Sequence, residues 1–239
     1  MKPLIVALDV ETSQEALDLT RRLSPHVNLF KVGPVLFLKY GGALIQELRA
    51  AGAEIFLDLK FHDIPSVVQR SVERAAEWGV YSATIHASGG VAMMEAAASV
   101  RKRPKLWGVT VLTSLDQSDL DTLGIQRTID EQAQRLAKMA SESGLDGVIT
   151  SVREAQGIKS VCGSKFQVVT PGIRMEKVSD DQKRTQTPAD AIKAGVDFFV
   201  MGRPITEAPD PVEAVRRVYN SIELKPLSKQ STKLSSPKS

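Results

Sequence analysis

The feature that most narrows what this chain can fold into is a regular alternation of short apolar runs with longer amphipathic ones. The apolar runs are LIVALD (4–9), NLFKVG (28–33), EIFLDLK (54–60), SATIHA (82–87), KLWGVTVL (105–112), DGVIT (146–150), FQVVT (166–170) and DFFVMG (197–202). Between them lie segments of helical period, among them SQEALDLTRRL, LIQELRAAG, VVQRSVERAAEWG, AMMEAAASVRK, TIDEQAQRLAKMASESG and DPVEAVRRVYNSI. Several end on a glycine (Gly52, Gly79, Gly144, Gly195), the residue a helix C-terminus favours.

Strand and helix in strict alternation imply parallel strands joined by right-handed crossovers. Eight such units in 239 residues fit a (β/α)8 TIM barrel. A doubly wound open sheet would use fewer strands and usually a Gly-rich first turn, whereas strand one here runs into DVETSQE. We expect one catalytic barrel over residues 1–222, without linker, repeat or second domain. Residues 223–239, rich in Ser, Lys and Pro and lacking period, read as a disordered tail.

Composition narrows the function. The chain is 42% hydrophobic and 25% charged, with a formal net charge of +3. Lys225, Lys229, Lys233 and Lys238 in the tail account for that excess, so nucleic-acid binding is not indicated. No stretch approaches the ~18 apolar residues of a membrane span, and MKPLIVALDVE is too short in its apolar part for a signal peptide. The single Cys162 cannot form an internal disulfide, which suits a reduced, cytoplasmic setting.

Barrel enzymes carry their chemistry at the C-terminal strand ends, where the βα loops converge. Here those ends hold Asp9, Lys31, Asp58 with Lys60, His86, Thr113, Thr170 with Arg174, and Gly202 with Arg203. The period of two sharpens the third run: Ile55, Leu57 and Leu59 face the helices, while Phe56, Asp58 and Lys60 point into the barrel. The same parity groups Ile5, Ala7 and Asp9 on strand one and Leu29 with Lys31 on strand two. Four charges therefore converge on one mouth, either as a structural ion network or as a functional one. Asp63, just before Pro65, is placed to reach the same network or a neighbouring subunit.

A second constellation, VVTPGIR (168–174) and FFVMGRPIT (198–206), sets a glycine and an arginine beyond each of the last two strands. Loops after strands seven and eight commonly bind phosphate, with glycine admitting the anion and arginine clasping it. His62 and His86 read first as hydrogen-bonding loop residues, Cys162 as inert, and Met93 and Met94 as helix core. No metal pattern is sustained, because Lys31 and Lys60 stand where a cation would be wanted.

Taken in order, VALDV, FKVG, DLKFHDIP, TIHASGG, VTVLTS, VTPGIR, DDQKR and VMGRPIT resemble the orotidine 5′-phosphate decarboxylase family of the shorter bacterial type, over about residues 3–222. The resemblance implies a homodimeric barrel without metal or organic cofactor, acting on orotidine 5′-phosphate. It implies that Asp58 and Lys60 face the scissile carboxylate, that Lys31 holds Asp58, that Lys60 is the proton donor, and that Asp63 arrives from the partner subunit. Asp9 and Lys31 would contact the ribose, Thr113 the pyrimidine edge, and Arg174, Gln182, Gly202 and Arg203 the phosphate, with Ile64 also at the substrate. The chain departs from the family at DIPSVV, where Val67 replaces the usual threonine of DIPNTV. Three rivals stay open: a Mg²⁺-dependent sugar-phosphate member of the same barrel group, with a glutamate in place of Lys31; a Schiff-base aldolase using Lys60; and a non-catalytic nucleotide-binding barrel.

Overall fold

The structure is a computed structural model that describes residues 2–175 and 186–223. Eight parallel strands close into a barrel in chain order. They are β1 (Leu4–Ala7), β2 (Leu29–Val32), β3 (Glu54–Phe61), β4 (Ser82–His86), β5 (Lys105–Val109), β6 (Gly147–Ile149), β7 (Gln167–Thr170) and β8 (Phe198–Met201). Pairing of β1 with β8 completes the ring. Each expected apolar run coincides with one strand; β3 runs one residue past its run, and most of the others stop a residue or more short of the run's end, where the loops begin.

The helices are α1 (Ser13–Leu23), α2 (Pro34–Ala50), α3 (Pro65–Glu77), α4 (Val91–Ala98), α5 (Gln117–Thr122), α6 (Ile129–Glu142), α7 (Val152–Cys162), α8 (Pro188–Lys193), α9 (Arg203–Thr206) and α10 (Pro211–Glu223). Local signals explain their starts. Thr12 caps α1 while Glu15 reaches back to it, and Thr128 and Glu131 repeat the same reciprocal bonds at α6. Gly79 and Gly144 follow α3 and α6 at φ of 65° and 84°, a region that costs other residues. Helix α2 begins well before LIQELRAAG and is broken at Gly41, whose φ of 62° no helix interior tolerates. Among the described residues no helix is long and apolar enough to cross a membrane.

Strand parity divides the apolar residues into two packed groups. Ile5, Ala7, Leu29, Phe56, Trp107, Val169, Phe198 and Val200 fill the barrel interior. Leu4, Val6, Phe30, Val32, Ile55 and Leu57 lie on the opposite face, against Met93, Met94 and the other helix residues. Inside, Trp107 stacks edge-on to Phe56 at 4.8 Å between ring centroids and tilts against Phe198 at 5.7 Å. Its indole nitrogen donates to Gln167 Oε1 at 3.0 Å, so the buried N–H is satisfied.

The N-terminal end of the barrel carries its own charged pairs. Arg103 clasps Asp146, which also accepts the Leu106 amide at 2.9 Å. Lys159 bonds Asp197 at 2.6 Å, and Asp197 accepts the Val168 amide at 2.7 Å. These carboxylates secure the strand starts at this end of the barrel.

Packing at the β6–β7 seam is tight enough to require glycine: a Cβ on Gly147 would collide with the backbone carbonyl oxygen of Gln167. Gly147→Ala is therefore expected to lower the unfolding free energy by about 1–3 kcal/mol, measured by urea denaturation. An unchanged midpoint would show that the seam relaxes freely.

Candidate active site

Adjacent parallel strands run about 4.8 Å apart, so inward side chains at matched heights on β1, β2 and β3 come within ion-pair range. Register pairs Ala7 with Lys31 and Lys31 with Phe56, which brings Asp9, Lys31 and Asp58 to successive positions around the rim. Lys31 Nζ lies 3.0 Å from Asp9 Oδ1 and 3.9 Å from Asp58 Oδ2. Lys60 Nζ donates to the same Asp58 oxygen at 2.9 Å. The charges thus alternate along a continuous row. Lys31 bonds Asp9 more closely than Asp58, so Lys60, not Lys31, is the nearest cation to Asp58.

Burial differs along the row. The side chains of Lys31 and Asp58 are each 13% exposed, Lys60 is 35% exposed, and Asp9 at the rim is 58% exposed. Two acids and two ammoniums balance, which is what permits the inner pair to be desolvated.

Strand β3 is irregular where it carries Asp58 and Lys60. Its pairing with β4 shifts register between Leu57 and Phe61, and Lys60 adopts φ of 50°, rare for a residue with a side chain. Such irregularities re-aim side chains next to active sites. The Lys60 amide, displaced from the ladder, donates instead to Thr84 Oγ1 at 2.9 Å, and the Thr84 hydroxyl donates to Asp58 Oδ1 at 2.9 Å. Thr84 is fully buried. It was not among the residues singled out from the sequence, yet the alternation of SATIH already puts Ser82, Thr84 and His86 on one face.

The row opens into a cleft of about 400 Å³. Ala7, Phe56, Val109, Ile149 and Val200 form an apolar floor, with Asp9, Lys31, Asp58 and Lys60 on one side and Gly172, Arg174, Gly202 and Arg203 on the other. Thr113 lies on the wall. The strand ends and the Gly-Arg loops therefore share one cavity, as expected.

Other expected site residues lie elsewhere. Asp63 is exposed and accepts the Ile64 amide at 2.7 Å, and neither residue lines the cleft of its own chain. Val67 sits half-buried in the first turn of α3. Gln182, most of the loop after Gly172 and the tail from residue 224 fall outside the described residues.

His62 and His86 stand beside the row, their rings 5.2 Å apart. Burial, then His62, then the Lys60 ammonium push the His86 imidazole below its ordinary value of 6.5, with Asp58 opposing them. Among the described residues no cluster of three or more His, Cys, Asp or Glu side chains converges as a metal site would.

Residues 2–218 match the orotidine 5′-phosphate decarboxylase / HUMPS family. The chain belongs to this family. It is 47% identical over 228 residues to an orotidine 5′-phosphate decarboxylase of Pseudoalteromonas translucida, covering 93% of this chain and 97% of the relative. A second relative of the same name, from Shewanella sediminis, is 45% identical over 229 residues, covering 93% and 98%. The crystal structure of orotidine 5′-phosphate decarboxylase from Lactobacillus acidophilus superposes with a TM-score of 0.81 at 36% identity, over 93% of this chain and 99% of that one. The matched span covers all eight strands and every cleft residue described above.

The environment of His86 leads to a titration experiment. NMR should find its imidazole charging below 6.5, and Lys60→Ala should move the midpoint upward by removing one of the depressing charges. Because the unfolded chain keeps the ordinary value, the stability tied to this group is full above about 6.5 and declines as pH falls through the folded midpoint. A midpoint at or above 6.5 would contradict the assigned environment.

Proposed function

We propose that the chain decarboxylates orotidine 5′-phosphate to uridine 5′-phosphate, the last step of de novo UMP synthesis, as a cytoplasmic homodimer. The observation that carries this reading is the Lys60 ammonium held 2.9 Å from Asp58, across one cleft from Arg174 and Arg203. That arrangement suits a substrate with a reacting carbon at one end and a phosphate at the other. The family membership and the names of the two relatives agree with it.

The chemistry follows from the charges. The bond from C6 to the carboxylate breaks heterolytically, CO₂ departs, and the electron pair stays on C6 in an sp² orbital that the ring carbonyls do not stabilise by conjugation. Stabilisation must then be electrostatic, and a preoriented ammonium in a cleft with an apolar floor supplies it. Lys60 next gives its proton to C6 and regains one from solvent. Asp58, beside the departing carboxylate, disfavours the charged ground state more than the transition state, in which that charge has dispersed.

Asp9 and Lys31 hold the ribose hydroxyls, Thr113 meets the pyrimidine edge, and Arg174, Arg203 and the Gly202 backbone hold the phosphate, joined by Gln182. Asp63 and Ile64 reach the site of a second copy. The exposure of Val35 (74%), Leu38 (84%) and Ile64 (63%) at the same end of the barrel supports such a contact. Val67 forgoes the hydrogen bond that a threonine would offer across that contact, which weakens affinity more than chemistry. Phosphate binding, remote from C6, supplies binding energy that the reacting end of the cleft can use.

Incubation with orotidine 5′-phosphate in EDTA should consume the substrate's absorbance at the same rate as without chelator. Loss of activity on chelation would favour the Mg²⁺-dependent sugar-phosphate reading, and no turnover in either condition would sink the proposal. Borohydride trapping with substrate should leave Lys60 unmodified, since no Schiff base forms.

Two substitutions separate the ends of the cleft. Lys60→Ala should lower kcat by on the order of 1,000-fold or more while the barrel folds, and retained turnover would remove it as proton donor. Arg203→Ala should raise KM and lower kcat/KM by roughly 10- to 100-fold, the worth of a charge-assisted hydrogen bond, and unchanged kinetics would exclude its phosphate role.

A further inference from the structure

We propose that Thr84, on β4, is a positioning residue for the Lys60 and Asp58 pair, an inference that rests on the decarboxylase reading above. Its single hydroxyl has one proton and two lone pairs, and both neighbours dictate how they are used. The Lys60 backbone N–H can only donate, so Oγ1 accepts it at 2.9 Å. An ionised Asp58 carboxylate can only accept, so the Thr84 proton goes to Oδ1 at 2.9 Å. The hydroxyl therefore has one orientation, and it joins the backbone of one reacting residue to the side chain of the other.

The need for it comes from the β3 irregularity. In a regular parallel ladder the amide of a strand residue bonds a carbonyl across the gap, but the shift between Leu57 and Phe61 interrupts that ladder at Lys60. Lys60 also carries φ of 50°, a conformation that costs roughly 1–3 kcal/mol and persists only where its surroundings hold it. Thr84 substitutes for the missing carbonyl. With Lys60 Nζ on Asp58 Oδ2 and Thr84 on Oδ1, both carboxylate oxygens are occupied and its plane cannot turn. Burial of Thr84 to 0% exposure keeps water from taking over either bond.

Thr84 touches neither substrate nor the departing group, so its effect passes through the pair it holds. Thr84→Val keeps the shape and removes the hydroxyl. Its kcat should fall by about 100-fold, with KM within about threefold of wild type, because the remote cations still bind the phosphate. Thr84→Ser restores the hydroxyl and should bring kcat back to within about threefold of wild type, which a role in packing alone would not produce. Where the valine chain fails to fold, Thr84→Ala serves as the second hydroxyl-free variant. Wild-type kcat in a folded hydroxyl-free variant, or failure of the serine variant to recover, would overturn the proposal.

Crystal structures of wild type and Thr84→Val decide the point without turnover. Movement of Lys60 out of positive φ, or loss of its bond to Asp58, supports the positioning role, and an unmoved pair overturns it. If the wild-type chain leaves orotidine 5′-phosphate intact, the functional reading falls alone, and those two structures still decide the role of Thr84.

Discussion

Charges can occupy a barrel mouth only if they neutralise one another, and here the neutralisation follows the spacing of the strands. Lys31 and Asp58 come from β2 and β3, Asp9 lies just past the end of β1, and Lys60 follows two residues after Asp58 on β3. Strands about 4.8 Å apart set neighbouring charged groups at ion-pair distance without long side chains having to search for each other. The inner members depend most on the row. Leaving Asp58 without its ammonium partners strands a nearly buried charge, typically at about 3–5 kcal/mol, whereas losing Asp9 at the wet rim still leaves Lys31 with Asp58 3.9 Å away. The row therefore resists piecemeal change. It also presents its ammoniums already oriented, so no reorganisation is needed when negative charge develops nearby.

Regular strand geometry alone would not finish the site. Parity brings the β3 side chains to the inner face, but a flat continuation of the ladder would consume the Lys60 amide in sheet bonding. The register shift releases that amide, and positive φ at Lys60 turns the chain before the FHDIP loop. Conformational strain at Lys60 is tolerated because the adjoining strand supplies a buried hydroxyl to hold it. The two ends of the barrel thus differ in kind. Asp146 and Asp197 at the strand starts accept regular strand amides and reinforce the ladder. At the mouth the ladder is interrupted, and the freed groups organise charge.

Much of this is legible in the sequence because it rests on two periods. Alternation by two separated Ile55, Leu57 and Leu59 from Phe56, Asp58 and Lys60, and the packed groups on either side of the sheet divide the same way. Helical period located α1, α3, α6 and α10 closely, since each has a broad apolar stripe and most have caps. What escaped detection depends on tertiary contacts. The short helices α5, α8 and α9 have four to six residues, too few to display a period. The first half of α2, PVLFLKYG, is apolar on too many sides to show a stripe, and it is separated from LIQELRAAG by the break at Gly41. Thr84 does not stand out in the sequence because a threonine in a strand is ordinary; its meaning appears only with the β3 irregularity opposite it. Asp63 is suggested by its place just beyond β3 and Ile64 by resemblance alone, and neither lines the cleft of its own chain.

The cleft holds its cations in two sets of different chemistry. Lys31 and Lys60 are fixed by carboxylates and sit on β2 and β3, whereas Arg174 and Arg203 belong to the loops after β7 and β8 on the far wall. A guanidinium is a planar fork suited to a dianionic phosphate, and its work is attraction and orientation; an ammonium is a compact point charge that can also give up a proton. Under the proposed decarboxylation the two types are not interchangeable: an arginine in place of Lys60 could not release a proton, and a lysine in place of Arg203 would lose the planar fork. The separation also has an energetic logic. Attraction for the phosphate is present in substrate and transition state alike, so by itself it only tightens binding. In the proposed reaction it would contribute to rate by holding C6 against a lysine that bonds Asp58 through its ammonium and Thr84 through its amide, converting remote attraction into alignment at the reacting atom.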